Sequence, residues 1–401
     1  MRALPVALAG FLLFSVATAS QHQQWIVQTS GLDTNLRGVS AVYFSVKAGE
    51  EPVPAVWACG SNGVILRSLD QGKTWKRLHV KDGDALDFRG IVALDEKVAY
   101  VMSIGNGNKS RIYKTTDGGE TWMLEYSGKR KEIFLDAIVC RFPTRCYALG
   151  DPIDGKFLLL ASADGDAWEE LPRDKMPAAL LNEGAFAASN SSLFVNDHGI
   201  YIATGGGSAA RVLYSPDLGQ TWSVTETPIA ADNVSSGIFS IDARWGPTIF
   251  AVGGDYKDAS RGSRSAASSL DGGKTWQLSK RQPGGFRSGV SAISGSIAVA
   301  VGPSGEEVTG DQGVTWVHTD SLNLNAVDLL DPENGWAVGP NGTIARFAGW
   351  GTMILRNMLP GVNWRTSFWD SAERAHVSSF PVRLVTRSRN PRLRSALSLA
   401  C

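Results

Sequence analysis

The sequence predicts an all-β fold, a seven-bladed β-propeller whose ring is closed by its N-terminal strand. Three observations carry the prediction: a short motif present six times, the spacing of its copies, and two end segments that complete each other. The copies read SLDQGKTW at 68–75, TTDGGETW at 115–122, SADGDAW at 162–168, SPDLGQTW at 215–222, SLDGGKTW at 269–276 and TGDQGVTW at 309–316. Their aspartates, Asp70, Asp117, Asp164, Asp217, Asp271 and Asp311, stand 40 to 54 residues apart. That interval is the length of a four-stranded blade rather than of a helical repeat.

Each copy reads as a turn between the third and fourth strands of a blade. Ser or Thr and Asp offer side-chain oxygens to the turn's own amides, and the following Gly accepts a positive φ that other residues resist. The closing Trp opens the outer strand and packs as a large apolar ring. The seventh blade comes in two pieces. GWAVGPNGTIARF at 335–347 repeats the strand pair of VWACGSNGVILRS at 56–68, but no aspartate turn follows it. The missing outer strand is supplied by QWIVQTS at 24–30, led by Trp25, so both ends of the array share one sheet and no open edge remains.

The turns resemble the Asp-box, or BNR repeat, of sialidases, other glycoside hydrolases, sortilin-like receptors and photosystem II assembly-factor propellers. A closer resemblance, in GDPIDG, EGAFAAS, GIFS, GGDY, FRSGV and VGPSG, is to uncharacterised exported propellers and covers residues 24–347. It implies the fold and an exported location, not an activity.

Composition agrees with a large β core: 401 residues, 43% apolar, with 44 Gly and 13 Trp. Residues 1–19 read as a secretory signal peptide, apolar after Arg2 and ending in Ala17-Thr18-Ala19. They are too short for a membrane span, and the expectation is a secreted, extracellular or periplasmic monomer. The propeller occupies 20–348. Residues 349–401 form a tail with eight Arg and a net charge of +6, expected to be disordered. With Arg2 adding one more positive charge, residues 21–348 carry the balancing −7, which argues against a nucleic-acid partner. Cys140 and Cys146 bracket the hairpin CRFPTRC and fit a disulfide across it. The five His and the cysteines give no metal spacing, and no cofactor motif is present.

Strand direction alternates within a blade, so the starts of the inner strands share one face and the aspartate turns lie on the other. On the first face the sequence places LRGV with Arg37, FRGI with Arg89, FLDAI with Asp136, NEGAF with Glu183, SSGIF with Ser236 and FRSGV with Arg287. Asp151, Asp255 and Tyr256 join them from neighbouring loops. Three arginines at one repeat position suit a carboxylate or another oxyanion, and hence an acidic glycan or a protein partner. The same residues can instead pair with each other and brace the strand starts. The main expectation is a non-catalytic binding or scaffold protein. A sialidase-like hydrolase, with Tyr256 paired to Glu183, is a second reading, although no FRIP-type segment is present and the Arg order differs from that family. An assembly factor of the photosystem II type is the third.

Overall fold

The computed structural model describes residues 25–47, 49–141 and 145–349. The expected signal peptide and all but the first residue of the basic tail lie outside them. Seven four-stranded antiparallel sheets follow one another around a ring. Blade 1 runs Leu36–Phe44, Val53–Gly60, Ile65–Ser68 and Lys76–Leu78, from the inner strand to the outer, and the pattern recurs through blade 6, which ends at Val317–Asp320. Blade 7 takes its inner three strands, Ala326–Leu329, Gly335–Val338 and Thr343–Phe347, from the end of the array. Its outer strand is Trp25–Thr29, paired antiparallel from Trp25 opposite Phe347 to Thr29 opposite Thr343.

The closing strand is anchored by more than its ladder. Trp25 is fully buried and meets Phe347 edge to face at 5.3 Å. Its indole N–H donates to the buried Glu306 carboxylate of blade 6, so the seam between the last two blades carries a polar bond inside an apolar cluster. Apolar clusters fill each interface between neighbouring blades, as two-layer packing of twisted sheets requires.

Between blades, the inner strands present edge amides that no backbone ladder satisfies, and side chains of the adjoining blade answer them. Ser40 Oγ accepts from Ala93 N at 3.1 Å, Ser240 Oγ from Val290 N at 2.8 Å, Asp242 Oδ2 from Ala292 N at 2.9 Å, and Asp328 Oδ2 from Ala41 N at 2.9 Å. Small polar residues therefore recur on strands that composition alone would fill with Val and Ile.

The aspartate turns share one bonding scheme. In blade 5, Ser269 Oγ accepts from Gly273 N at 2.8 Å and donates to Asp271 Oδ1 at 2.8 Å. Asp271 then accepts from the Thr275 amide at 2.9 Å and from its hydroxyl at 2.7 Å. Gly272 and Gly273 take φ of 76° and 89°, where a Cβ is strained. The scheme recurs at Asp70, Asp117, Asp217 and Asp311. Blade 3 is one residue shorter and lacks the Thr, so Asp164 bonds only the amides of Asp166 and Ala167 in that half of the turn.

Thr275's hydroxyl and amide hold the Asp271 carboxyl down to about 2. A depressed folded value adds stability above the unfolded value of 3.8 that is lost as pH falls through about 2. Asp271→Asn is therefore expected to reduce the acid dependence of the urea midpoint in that window while leaving the β-sheet content, read by far-UV circular dichroism at pH 7, unchanged.

Cys140 and Cys146 face each other across the first strand pair of blade 3, with Cα atoms 4.0 Å apart and the sulfurs bonded. Cys59 is free and buried. No helix among the described residues is long and apolar enough to cross a membrane.

Candidate functional site

The mouth of the channel is built by a bulge repeated at the start of the inner strands. In blade 1 the register slips between Leu36 and Gly38, leaving Arg37 as the extra residue. The same slip makes Arg89 the extra residue of blade 2, Asp136 of blade 3 and Phe239 of blade 5. A bulge re-aims its side chain, and repetition around the ring carries these four to one rim. The preceding residue in each case, Leu36, Phe88, Leu135 and Ile238, is fully buried between blades.

Arg287 does not join this set. Gly289 pairs with Val301, and the amide of Ser288 bonds the Val301 carbonyl at 2.9 Å, so Ser288 holds the rim position and Arg287 falls one residue early. It occupies the buried position, 0% exposed, and its guanidinium is bound by Glu307, by the Phe286 carbonyl at 2.7 Å and by Ser304 Oγ at 3.0 Å. The expected three-arginine cluster is a pair. The additional Ser in FRSGV, absent from LRGV and FRGI, is the sequence signal for the difference.

Glu183 is displaced as well. The inner strand of blade 4 is Leu193–Asn196, which begins ten residues after Glu183. Glu183 is buried, its carboxylate bound by Arg211, by Thr204 Oγ1 at 2.6 Å and by the Leu180 amide at 2.7 Å. It holds the approach to blade 4 and has no hydrogen bond to Tyr256. Tyr256 is half exposed and touches Phe239 and Lys257 instead. The Glu183 carboxylate is thus engaged by Arg211, and no hydrogen bond joins it to the phenol with which a sialidase-like site would pair it.

The residues between Glu183 and Leu193 cross the channel. Ala187's carbonyl accepts from Arg89 Nη1 of blade 2 at 2.9 Å, and Asn190 bonds the Ile138 amide and carbonyl of blade 3 at 2.8 and 2.9 Å. Ser189 donates to the Ser288 carbonyl of blade 6, and Ser191 pairs with Ser240 of blade 5 at 2.6 Å. One short segment thus reaches four other blades and floors the mouth. The glycines beside it permit the approach: a Cβ on Gly205 would lie 2.6 Å from Gly237 Cα, and one on Gly90 would lie 2.5 Å from Asn190 Oδ1.

Above this floor Arg37 and Arg89 are half-buried neighbours. Arg89 is neutralised by Asp87, with Nε and Nη2 at 3.1 and 3.0 Å from Oδ2. Among the described residues Arg37 has only a neutral bond, Nη1 to Asn325 Oδ1 at 3.2 Å, and its Nε has no partner. Burial, reinforced by the charge of Arg89 and opposed by Asp87, pulls the Arg37 guanidinium down to about 10. A cation held under such conditions gains from any anion that reaches it.

The acids divide into two kinds. Burial and the charge of Asp151 push Asp136 well above the usual carboxylate range, and its Oδ2 has no hydrogen-bond partner among the described residues. Asp151 is pushed up to about 6 by burial, against one amide bond from Ala185 at 3.3 Å. For Asp255 burial acts upward, but bonds from Asn233, Ser235 and the Lys257 amide outweigh it and hold the carboxyl low. Asp255 is a loop organiser, while Asp136 and Asp151 share a protonatable pocket beside the floor. No group of three or more His, Cys, Asp or Glu among the described residues is placed to hold a metal ion. A separate hollow of ≈510 Å³, lined by Asn62, Arg77, Leu78, His79 and Asp84, borders the outer strand of blade 1, away from the mouth.

Fold and site together define a closed seven-bladed propeller with a floored channel and a cationic mouth. No family model matches the chain. Among curated proteins it is similar to two, each named photosystem II assembly protein Ycf48. That of Synechococcus sp. strain JA-2-3B'a(2-13) is 24% identical over 210 residues, covering 44% of this chain and 59% of the relative. That of strain JA-3-3Ab is 25% identical over 170 residues, covering 34% and 48%. The chain thus matches about half the length of these relatives. Among solved structures, YCF48 bound to a D1 peptide superposes with a TM-score of 0.56 at 14% identity, over 82% of this chain and 98% of that one. YCF48 from Cyanidioschyzon merolae gives 0.58 at 16% identity, over 81% and 99%. At these identities the superpositions establish the shared propeller fold.

Proposed function

We propose that this chain is a binding propeller of the assembly-factor kind, which takes up a peptide segment of a client protein on the face that carries the channel mouth. The observation that carries the reading is Arg37, a half-buried cation with no carboxylate partner among the described residues, set beside Arg89 over a floored channel. The floor directs recognition to the face and away from the axis. The likeness to Ycf48, one of whose structures holds a D1 peptide, supports a peptide rather than a glycan as occupant. The engagement of Glu183 by Arg211 removes the carboxylate that the hydrolase reading needs. The leader-like residues 1–19 support export as the route by which it reaches its client.

The test is binding of acidic peptides, measured by fluorescence anisotropy, to the wild type and to Arg37→Gln. Loss of one charge-assisted hydrogen bond weakens binding by about 1.5–3 kcal/mol. The variant is expected to keep its melting temperature, because among the described residues the Arg37 side chain bonds only the neutral Asn325. Equal affinity of wild type and variant, or turnover of a fluorogenic sialoside by the wild type, would sink the reading.

A further inference from the structure

The face that carries the mouth gathers its exposed large apolar side chains in one place. Leu181, Val234 and Tyr256 are 86%, 59% and 50% exposed. They come from three different connections: the crossing into blade 4, the crossing into blade 5, and the loop after Thr248–Asp255. The fold nonetheless sets them side by side. A Cβ on Gly206 would lie 2.7 Å from the Asn182 carbonyl oxygen and 3.4 Å from that of Val234, and the Tyr256 amide donates to the Ser235 carbonyl at 3.3 Å. Other exposed large apolar side chains among the described residues lie on outer strands or toward the opposite face.

This shelf is continuous with the arginine pair. Tyr256 meets the ring of Phe239 at 6.1 Å, and Phe239 stacks on Phe186 at 3.7 Å with the planes 7° apart. Phe186 precedes Ala187, whose carbonyl accepts from Arg89. A path of direct contacts therefore runs along the floor from an aromatic and aliphatic shelf to a cationic rim. The shelf has the character of an apolar interaction patch, and the rim gives a bound segment its direction. A sugar acid would satisfy the rim but leave Leu181 and Val234 bare.

Building on the peptide-binding function above, we infer that the occupant is an extended peptide segment that presents a carboxylate to Arg37 and Arg89 and seats neighbouring apolar side chains on Leu181, Val234 and Tyr256. The carboxylate can be an acidic side chain or a free C-terminus, since both offer the same paired oxygens to a guanidinium. The acid fixes the register, and apolar burial supplies most of the affinity.

The test uses the full chain and two phage-displayed random peptide libraries, one with a free C-terminus and one with the C-terminus fused to coat protein. Enriched peptides are synthesised and titrated against wild type, Arg37→Gln and Leu181→Asp/Val234→Asp. Both shelf positions are exposed, so that double variant is expected to keep the wild-type melting temperature. The expected result is a consensus that combines an acid with apolar residues, and at least a tenfold loss of affinity in each variant. Enrichment only in the free-terminus library assigns the carboxylate to a C-terminus, and enrichment in both assigns it to a side chain. A consensus of acids alone, with affinity unmoved by the shelf variant, overturns the shelf while leaving the peptide-binding function standing. Enrichment that wild type and Arg37→Gln share equally overturns that function and this inference with it.

Discussion

Arg287→Ala is expected to destabilise the fold by about 3–5 kcal/mol, because it strands a buried carboxylate. Arg287 is wholly buried, and its guanidinium is bound by Glu307 as well as by Phe286 and Ser304. Removing it leaves the buried Glu307, among the described residues, with only the Gly284 amide at 3.1 Å and a long contact to His318. The measurement is a urea titration at pH 7. The counter-test is the double variant Arg287→Met/Glu307→Leu, which removes both charges and should recover most of the loss. A destabilisation below about 1 kcal/mol in Arg287→Ala would mean that the pair is solvated in solution.

The second large effect lies at the ring's closing seam and depends on pH. Burial pushes the Glu306 carboxyl up to about 7, with the nearby charges of Asp320 and Glu307 adding to the rise and bonds from Thr319 and Trp25 opposing it. A raised folded value means that the native state keeps a proton which the unfolded chain releases above 4.5. Stability from this group is therefore full below 4.5, declines as pH rises to about 7, and is flat beyond. The decline amounts to about 3 kcal/mol. Glu306→Gln keeps a side-chain oxygen for the Trp25 indole and removes the titration. Its advantage over wild type should grow by most of that amount between pH 5 and pH 8, read from paired denaturation curves. A constant difference across those two pH values would assign the carboxyl an ordinary titration.

The parts of the fold legible in the sequence were those written in local chemistry. The aspartate turns are visible because Ser or Thr, Asp and Gly each answer a backbone group within four residues. The closing strand is visible because a blade with three strands at one end implies a fourth at the other, and Trp25 matches it. The mouth was legible only in part. Arg37, Arg89 and Asp136 follow from a repeated strand start, but Arg287 follows the same two-letter pattern and lands in the core, since one inserted Ser shifts its register. Glu183 looked like a strand start because NEGAF carries a small residue where the other starts do. Its partner Arg211 lies on the third strand of the blade, and no spacing rule links the two. The segment from Phe186 to Ser191 is made of small polar and apolar residues without period, and its role as a channel floor depends on four other blades.

The seam at Trp25 also fixes when the molecule can be finished. Its outer strand is among the first parts of the propeller to be synthesised, and its partner, Thr343–Phe347, is among the last. Each of the other six blades contains its four strands in one run of chain and can form as it emerges, by local contacts alone. Trp25 cannot be placed until the seventh blade arrives, and until then the indole and Glu306 are both without their partner across the seam. Completion is thus a late event, and a chain interrupted before Thr343 is expected to be an open arc exposing both unfinished edges to chaperones and proteases.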